Sequence, residues 1–185
     1  MMRSGRSLVA WRAWVAAAVL FASAAAPAGT PVSRALAPGD DAPPLAGPAL
    51  EGWKYNADWS QYDYTIVNFW ATWCEPCRSE MPVLQDLYER FHDRKLAVVG
   101  VLLDSVGDDE VRAFATSLGV RYRLVRGTTD LSNLWGGIGI LPTTFVVSSK
   151  GRVLRRYVGA TAEQVDRMKS DVEALFPPPA PKPDR

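Results

Sequence analysis

The chain has 185 residues, with 21 Lys plus Arg, 20 Asp plus Glu, one His and two Cys, enough for one ordinary globular domain with short extensions. With 48% apolar and 22% charged residues and a net charge of +1, it is neither disordered, collagenous nor polybasic, so nucleic-acid binding by bulk attraction to phosphates is excluded. Two cysteines cannot build a disulfide-dense scaffold, and with one histidine they cannot supply the usual four ligands of structural zinc, which leaves redox chemistry or simple packing for Cys74 and Cys77.

At the start, Arg3, Arg6 and Arg12 precede the uncharged run Ala13 to Ala26, and the first acidic residue is Asp40. This resembles a signal peptide over residues 1–28, because the apolar run is shorter than the roughly 20 residues of a bilayer-spanning helix and small residues follow it. Ala22-Ser23-Ala24 and Ala26-Pro27-Ala28 both fit small-x-small cleavage. An uncleaved N-terminal anchor is the competing reading, since no further charge appears until Arg34. Both readings put the remainder in the periplasm or another extracytoplasmic space. Loss of the three arginines would leave 18 basic residues against 20 acidic ones, a mild surface without an obvious polyanionic partner.

Residues 29–38 read as a proline-containing linker, the folded domain as 39–176, and the proline-rich end 177–185 as a solvated tail. Inside the domain, Tyr64 to Trp70, Leu96 to Leu102 and Thr143 to Val147 are short runs rich in Val, Ile and aromatics, as buried strands require. Glu75 to Phe91 spaces Met81, Leu84, Leu87, Tyr88 and Phe91 as a helix does, and Asp108 to Leu118 repeats the pattern. A short strand is expected over Tyr122 to Val125. Ser148 to Gly151 reads as a turn into a strand from Arg152 to Val158, and Thr161 opens a last helix ending near Phe176. The sum is an α/β domain whose central mixed sheet is covered by helices on both faces.

Cys74-Glu75-Pro76-Cys77 falls where a strand gives way to a helix. At this spacing the second thiol can attack a mixed disulfide on the first. The unpaired N–H groups and positive dipole end of the helix favour a thiolate, making Cys74 the expected exposed nucleophile and Cys77 the resolver. Pro76 suits a first helical turn, which needs no donor there. Arg78 stands where c-type haem attachment would need His. A purely structural disulfide is the weaker reading, because so short a loop constrains the unfolded chain little.

The run Asn68-Phe69-Trp70-Ala71-Thr72-Trp73-Cys74-Glu75-Pro76-Cys77-Arg78-Ser79-Glu80-Met81-Pro82, with Leu141-Pro142-Thr143-Thr144-Phe145 downstream, resembles the TlpA/ResA-like family of exported thioredoxin-fold thiol-disulfide oxidoreductases. The resemblance implies a thioredoxin-like fold with an N-terminal extension and a central α/β insertion between Asp104 and Pro142. It implies a kinking proline at Pro82 and a cis proline at Pro142 facing the disulfide. Trp73, Glu75, Pro76, Leu141, Pro142 and Thr143 would then meet an extended substrate. Ile140 departs from the pattern, since many relatives have Gly just before the Leu-Pro pair.

Thioredoxin itself has a buried Asp at the place of Asn68, and an amide cannot accept a proton in its stead. The family resembles this chain in placing an acid at Glu80, which would take the proton of Cys77 or hold the thiol pKa values up. The alternative for Glu80 is an ordinary solvated helix residue. Glu75 sets a negative charge between the cysteines, which disfavours the Cys74 thiolate and points to a reductant. His92 reads as a capping or solvated imidazole. Arg121, Arg123, Arg126, Arg152, Arg155 and Arg156 read as solvated edge residues rather than a basic patch. Trp70 and Trp73 are expected to pack around the CxxC turn and shield the sulfur pair, with a purely structural core role as the alternative for Trp70.

The expected function is reduction of protein disulfides outside the cytoplasm by a monomer with no cofactor beyond the Cys74–Cys77 pair and no metal. The resemblance implies a membrane dithiol as electron donor. It implies as client either the CxxCH of apocytochrome c or the cysteine pair of a copper-assembly protein. A disulfide oxidase or isomerase, and a non-catalytic haem- or metal-binding chaperone, are the competing functions.

Overall fold

The computed structural model describes residues 34–178. The signal or anchor segment lies outside them, as do residues 29–33 of the expected linker and residues 179–185 of the tail. Among the described residues no helix is long and apolar enough to cross a membrane.

In chain order the elements are β1 (Ala46–Pro48), β2 (Lys54–Asn56), β3 (Tyr64–Trp70), α1 (Glu75–Phe91), β4 (Leu96–Leu102), α2 (Asp108–Ser117), β5 (Arg123–Arg126), α3 (Thr129–Leu134), β6 (Thr143–Ser148), β7 (Val153–Val158) and α4 (Ala162–Ala174). Single 3-10 turns occupy Trp59–Gln61 and His92–Arg94. The main sheet runs β5-β4-β3-β6-β7, parallel from β3 through β4 to β5 and antiparallel from β3 through β6 to β7. The central strands are buried on both faces, which is why β3 and β4 read as nearly unbroken apolar runs.

Alternation along the strands splits the core in two. Ile66, Trp70, Val98, Leu102, Leu124 and Val146 face α1, α2 and α4, where they meet Met81, Leu84, Val111, Met168 and Val172. Val67, Phe69, Val99, Val101, Val125, Phe145 and Val147 face the other way, against Leu45, Leu131 and Trp135. Trp135 packs edge-on to Phe145 at 5.1 Å between ring centres.

The expected strands and long helices form with bounds shifted by no more than about two residues. The short strand begins at Arg123 instead of Tyr122, and the last helix ends at Ala174 instead of near Phe176. His92 caps α1, with Nδ1 3.1 Å from the Tyr88 carbonyl oxygen. Five of the six arginines expected at the edges are individually engaged, Arg121 with Glu89, Arg126 with Asp108, Arg152 with Asp41, Arg155 with Asp171 and Arg123 over the Trp53 ring, while Arg156 lies over the Phe145 ring with its buried Nε lacking a hydrogen-bond partner among the described residues.

Three features lie outside the sequence expectations. Part of the expected linker is packed against the domain: a Cβ on Gly136 would meet Leu36 N at 2.7 Å and Ala35 Cα at 2.9 Å. Helix α3 is only six residues long and is capped by Thr128, whose hydroxyl accepts from Leu131 N–H at 3.1 Å. The β1–β2 hairpin is built from three-residue strands and covers the outer edge of β5, where Leu50 N–H donates to the Leu124 carbonyl at 3.1 Å. That coverage shields an edge otherwise open to strand addition.

Gly47 makes this approach possible, since a Cβ there would stand 2.4 Å from the Arg126 carbonyl oxygen, a backbone atom that cannot step aside. Gly47→Ala is expected to destabilise the oxidised protein by about 1–3 kcal/mol. Urea unfolding followed by tryptophan fluorescence reads this directly, and an unchanged midpoint would mean that the hairpin does not rest on β5.

Candidate active site

Strand β3 ends at Trp70, the chain turns through Ala71–Trp73, and α1 opens at Glu75 with Cys74 as its N-cap. Cys74 has extended backbone and its sulfur accepts from Cys77 N–H at 3.2 Å, a first-turn donor that it shares with the Cys74 carbonyl oxygen at 3.1 Å. Pro76 sits in the first turn, where its missing N–H costs nothing. Cys74 and Cys77 are joined in a disulfide. Both sulfurs are covered in this state: Cys74 is 4% exposed and Cys77 1%. The expectation of an exposed Cys74 is corrected to a slight difference, because Cys74 is packed with the core on the α1 side of the sheet while the disulfide is closed.

Glu80 is not a solvated helix residue. It is 2% exposed and lies beneath the pair on the inner face of α1. Sheet register explains its company. Asn68 on β3 is level with Thr144 on β6 and with Gly100 on β4, so the Asn68 and Thr144 side chains rise together toward the helix. Asn68 Nδ2 donates to Glu80 Oε2 at 2.7 Å and to Thr144 Oγ1 at 2.9 Å, and Thr144 Oγ1 in turn donates to Glu80 at 3.2 Å. Burial pushes the Glu80 carboxyl up from 4.5 to about 7, and the bonds from Thr144 and Asn68 only partly oppose it.

Nearby, Gly100 leaves room under the helix: a Cβ there would meet Leu124 Cδ2 at 2.6 Å and Trp70 Nε1 at 3.0 Å. Burial, then the Glu80 charge, raises the Tyr122 hydroxyl pKa, so it stays protonated. Thr144 and Tyr122 were not singled out from sequence. The second threonine of Thr143-Thr144 was the available signal, because alternation along a buried strand places it on the same face as the CxxC helix.

The other expected site residues divide into two groups. Trp73 is 72% exposed and, with Leu141, lines a groove of about 690 Å³ whose other walls include Asp104, Ile138 and Ile140. The Leu141–Pro142 bond is cis, and Pro142 itself is buried. Glu75 and Pro76 are exposed at the helix start, outside that groove, with Glu75 3.7 Å from Arg78. Thr143 is buried, and its hydroxyl donates to the Ile140 carbonyl at 2.7 Å, so it shapes the loop instead of offering its side chain to a substrate. Among the described residues no cluster of His, Cys, Asp or Glu is placed to hold a metal.

A helix-capping cysteine pair at the end of the central strand, a buried acid beneath it and a cis-proline loop define a thioredoxin-fold thiol-disulfide oxidoreductase. Residues 38–156 match the AhpC/TSA family, and the chain belongs to it. It is 31% identical over 137 residues to the thioredoxin-like protein YneN of Bacillus subtilis, covering 73% of this chain and 79% of that protein. It is 30% identical over 145 residues to the thiol-disulfide oxidoreductase ResA of Geobacillus thermodenitrificans, covering 77% and 80%. Among solved structures, a thioredoxin-family thiol:disulfide interchange protein from Chlorobium tepidum superposes with a TM-score of 0.62 at 28% identity, over 75% of this chain and 99% of that one.

The raised Glu80 pKa fixes how stability follows pH. The folded protein keeps this proton where the unfolded chain has lost it. Its contribution is therefore full below about pH 4.5, is lost as pH rises through about 7, and is constant beyond. Relative to the parent, Glu80→Gln is expected to gain about 3 kcal/mol between pH 4.5 and pH 8. Urea unfolding of both oxidised proteins across that range measures the difference, and parallel profiles would show Glu80 titrating as a solvated acid.

Proposed function

We propose that this protein is an exported reductase of protein disulfides. The observation that carries the reading is the acidity around the sulfur pair: exposed Glu75 stands in the first turn of α1 and buried Glu80 lies one turn beyond Cys77. Negative charge at Glu75, and at Glu80 once its carboxyl is ionised, disfavours the thiolate. A dithiol whose reduced form is poorly stabilised gives up its electrons readily.

The exchange proceeds in two displacements. Cys74 thiolate attacks one sulfur of the client disulfide, the client S–S bond breaks, and the other client sulfur leaves as a thiolate that takes a proton from water. Cys77 then loses its proton to the Glu80 carboxylate and attacks Cys74 Sγ in the mixed disulfide. The second client thiolate departs and Cys74–Cys77 closes. Two electrons have passed to the client, and Glu80, with a pKa near neutrality, can release its proton as readily as it accepts one. The redox group is the cysteine pair itself.

The groove beside Trp73 and Leu141, walled by both polar and apolar side chains, fits an extended client segment. The signal-like N-terminus supports a periplasmic or other extracytoplasmic location, with the domain free or tethered and the cysteine pair recharged by a membrane dithiol. The CxxCH of apocytochrome c or a copper-assembly cysteine pair is the client class, met by a monomer.

Cys77→Ser leaves the first mixed disulfide without its resolver and is expected to accumulate cysteine-linked clients, identified by mass spectrometry. Equilibration of the parent with a thiol buffer should give a potential nearer to about −270 mV than to about −120 mV. A potential at the upper value would make the protein an oxidase, and stable metal binding by the reduced pair with no trapped client would make it a chaperone.

A further inference from the structure

The loop after β4 carries a carboxylate that this exchange does not use. Asp104 Oδ2 accepts from Thr72 N–H at 2.7 Å and from Thr72 Oγ1 at 2.8 Å. Thr72 lies in the turn between β3 and α1, two residues before Cys74. Among the described residues these are the only side-chain hydrogen bonds reaching residues 71–73.

The rest of the turn has little else on its outer side to hold it. Ala71 is buried, but Trp73 is 72% exposed, and an indole with that much surface in water cannot fix a turn by packing. Asp104, by contrast, stands on an anchored loop. Leu103 N–H donates to the Trp70 carbonyl at 2.9 Å, which carries the pairing of β3 with β4 up to Asp104. From the end of β5, Arg126 donates to the Asp104 carbonyl at 3.4 Å, to the Val106 carbonyl at 2.5 Å and to Asp108 Oδ1 at 2.9 Å. Both Asp104 and Trp73 line the same groove.

We propose that Asp104 is a positioning residue for Cys74: its carboxylate grips Thr72 and thereby sets where the Cys74 sulfur and the Trp73 wall of the groove stand. The inference rests on Cys74 being the attacking sulfur, and it is indifferent to the direction of electron flow. In-line attack of one sulfur on another is sensitive to placement, and a misplacement of about 1 Å can slow a positioned reaction by about a hundredfold.

The test uses the reduced full-length protein with two probes, insulin as a protein disulfide and an aromatic disulfide as a small one that needs no groove. Asp104→Ala is expected to slow insulin reduction by about tenfold or more. Asp104→Asn keeps an oxygen that can accept both Thr72 bonds while removing the charge, and it should restore a rate close to the parent's. Thr72→Val retains the backbone bond alone and should fall between them. Iodoacetamide alkylation against pH gives the Cys74 thiol pKa in each variant, which positioning leaves similar in the Ala and Asn variants. Equal loss in the Ala and Asn variants would assign the effect to charge and overturn the proposal, as would unaltered rates in both Asp104→Ala and Thr72→Val. If Asp104→Ala does not fold, Thr72→Val against Asp104→Asn still decides. Should the parent react with neither probe, or Cys74→Ser react as the parent does, the assignment of Cys74 fails instead, independently of Asp104.

Discussion

The structure turns on a single junction, where the last residue of extended chain after β3 is also the cap of α1. Cys74 occupies both roles, so its sulfur takes the place that a serine or aspartate oxygen usually holds at a helix start and receives the Cys77 N–H. A capping group is held by the helix it caps. The Cys74 sulfur is therefore fixed by backbone geometry, and a thiolate there meets oriented N–H groups without reorganising them. Parallel pairing of β3 with β4, and antiparallel pairing with β6, hold the strand that delivers it.

The same arrangement makes burial of Glu80 tolerable. A lone carboxylate in an apolar interior would be prohibitive, and a neutral acid would still need partners. Here the level pairing of Asn68 with Thr144 presents one amide donor and one hydroxyl to the carboxyl, enough to keep its pKa near neutrality without returning it to the solvated value. Both protonation states are then accessible at ordinary pH, as a group that alternately accepts and releases a proton requires. Asp in place of Asn68 would set a second acid against Glu80. The amide avoids that repulsion, and so the exchange of an acid for an amide on the strand and the acid on the helix form one device.

How much of this could be read from residues alone follows from the range of each interaction. Strands β3 and β4, and helix α1, have their periodicity and end signals within a few neighbours, and their bounds fall where apolar spacing placed them. Helix α3 and the β1–β2 hairpin are short, polar or broken by Gly47 and Pro48; the hairpin rests on the distant edge of β5, and α3 on the sheet face that takes up its Leu131 and its cap Trp135. The site behaves likewise. Cys74 and Cys77 announce themselves by spacing, whereas the burial of Glu80 depends on β6, more than sixty residues downstream, and Thr72 acquires its meaning from Asp104 across a strand crossover. Thr143 and Thr144 look equivalent in the sequence, yet alternation turns one into the loop and the other onto the acid.

Chemistry and recognition are thereby served by different parts of the scaffold. The hydrogen-bonded trio of Glu80, Asn68 and Thr144 lies inside, between α1 and the sheet, in a layer whose packing admits little change of volume. The groove is built from loops: the active-site turn with Trp73, the end of β4 with Asp104, and the approach to the cis proline with Ile138, Ile140 and Leu141. Loops tolerate substitution because few buried contacts depend on them. Ile140 is 61% exposed and lines the groove, so it adds apolar surface there without touching the buried acid. A scaffold divided in this way can change what its groove grips while leaving unaltered the buried carboxyl of Glu80 and its partners.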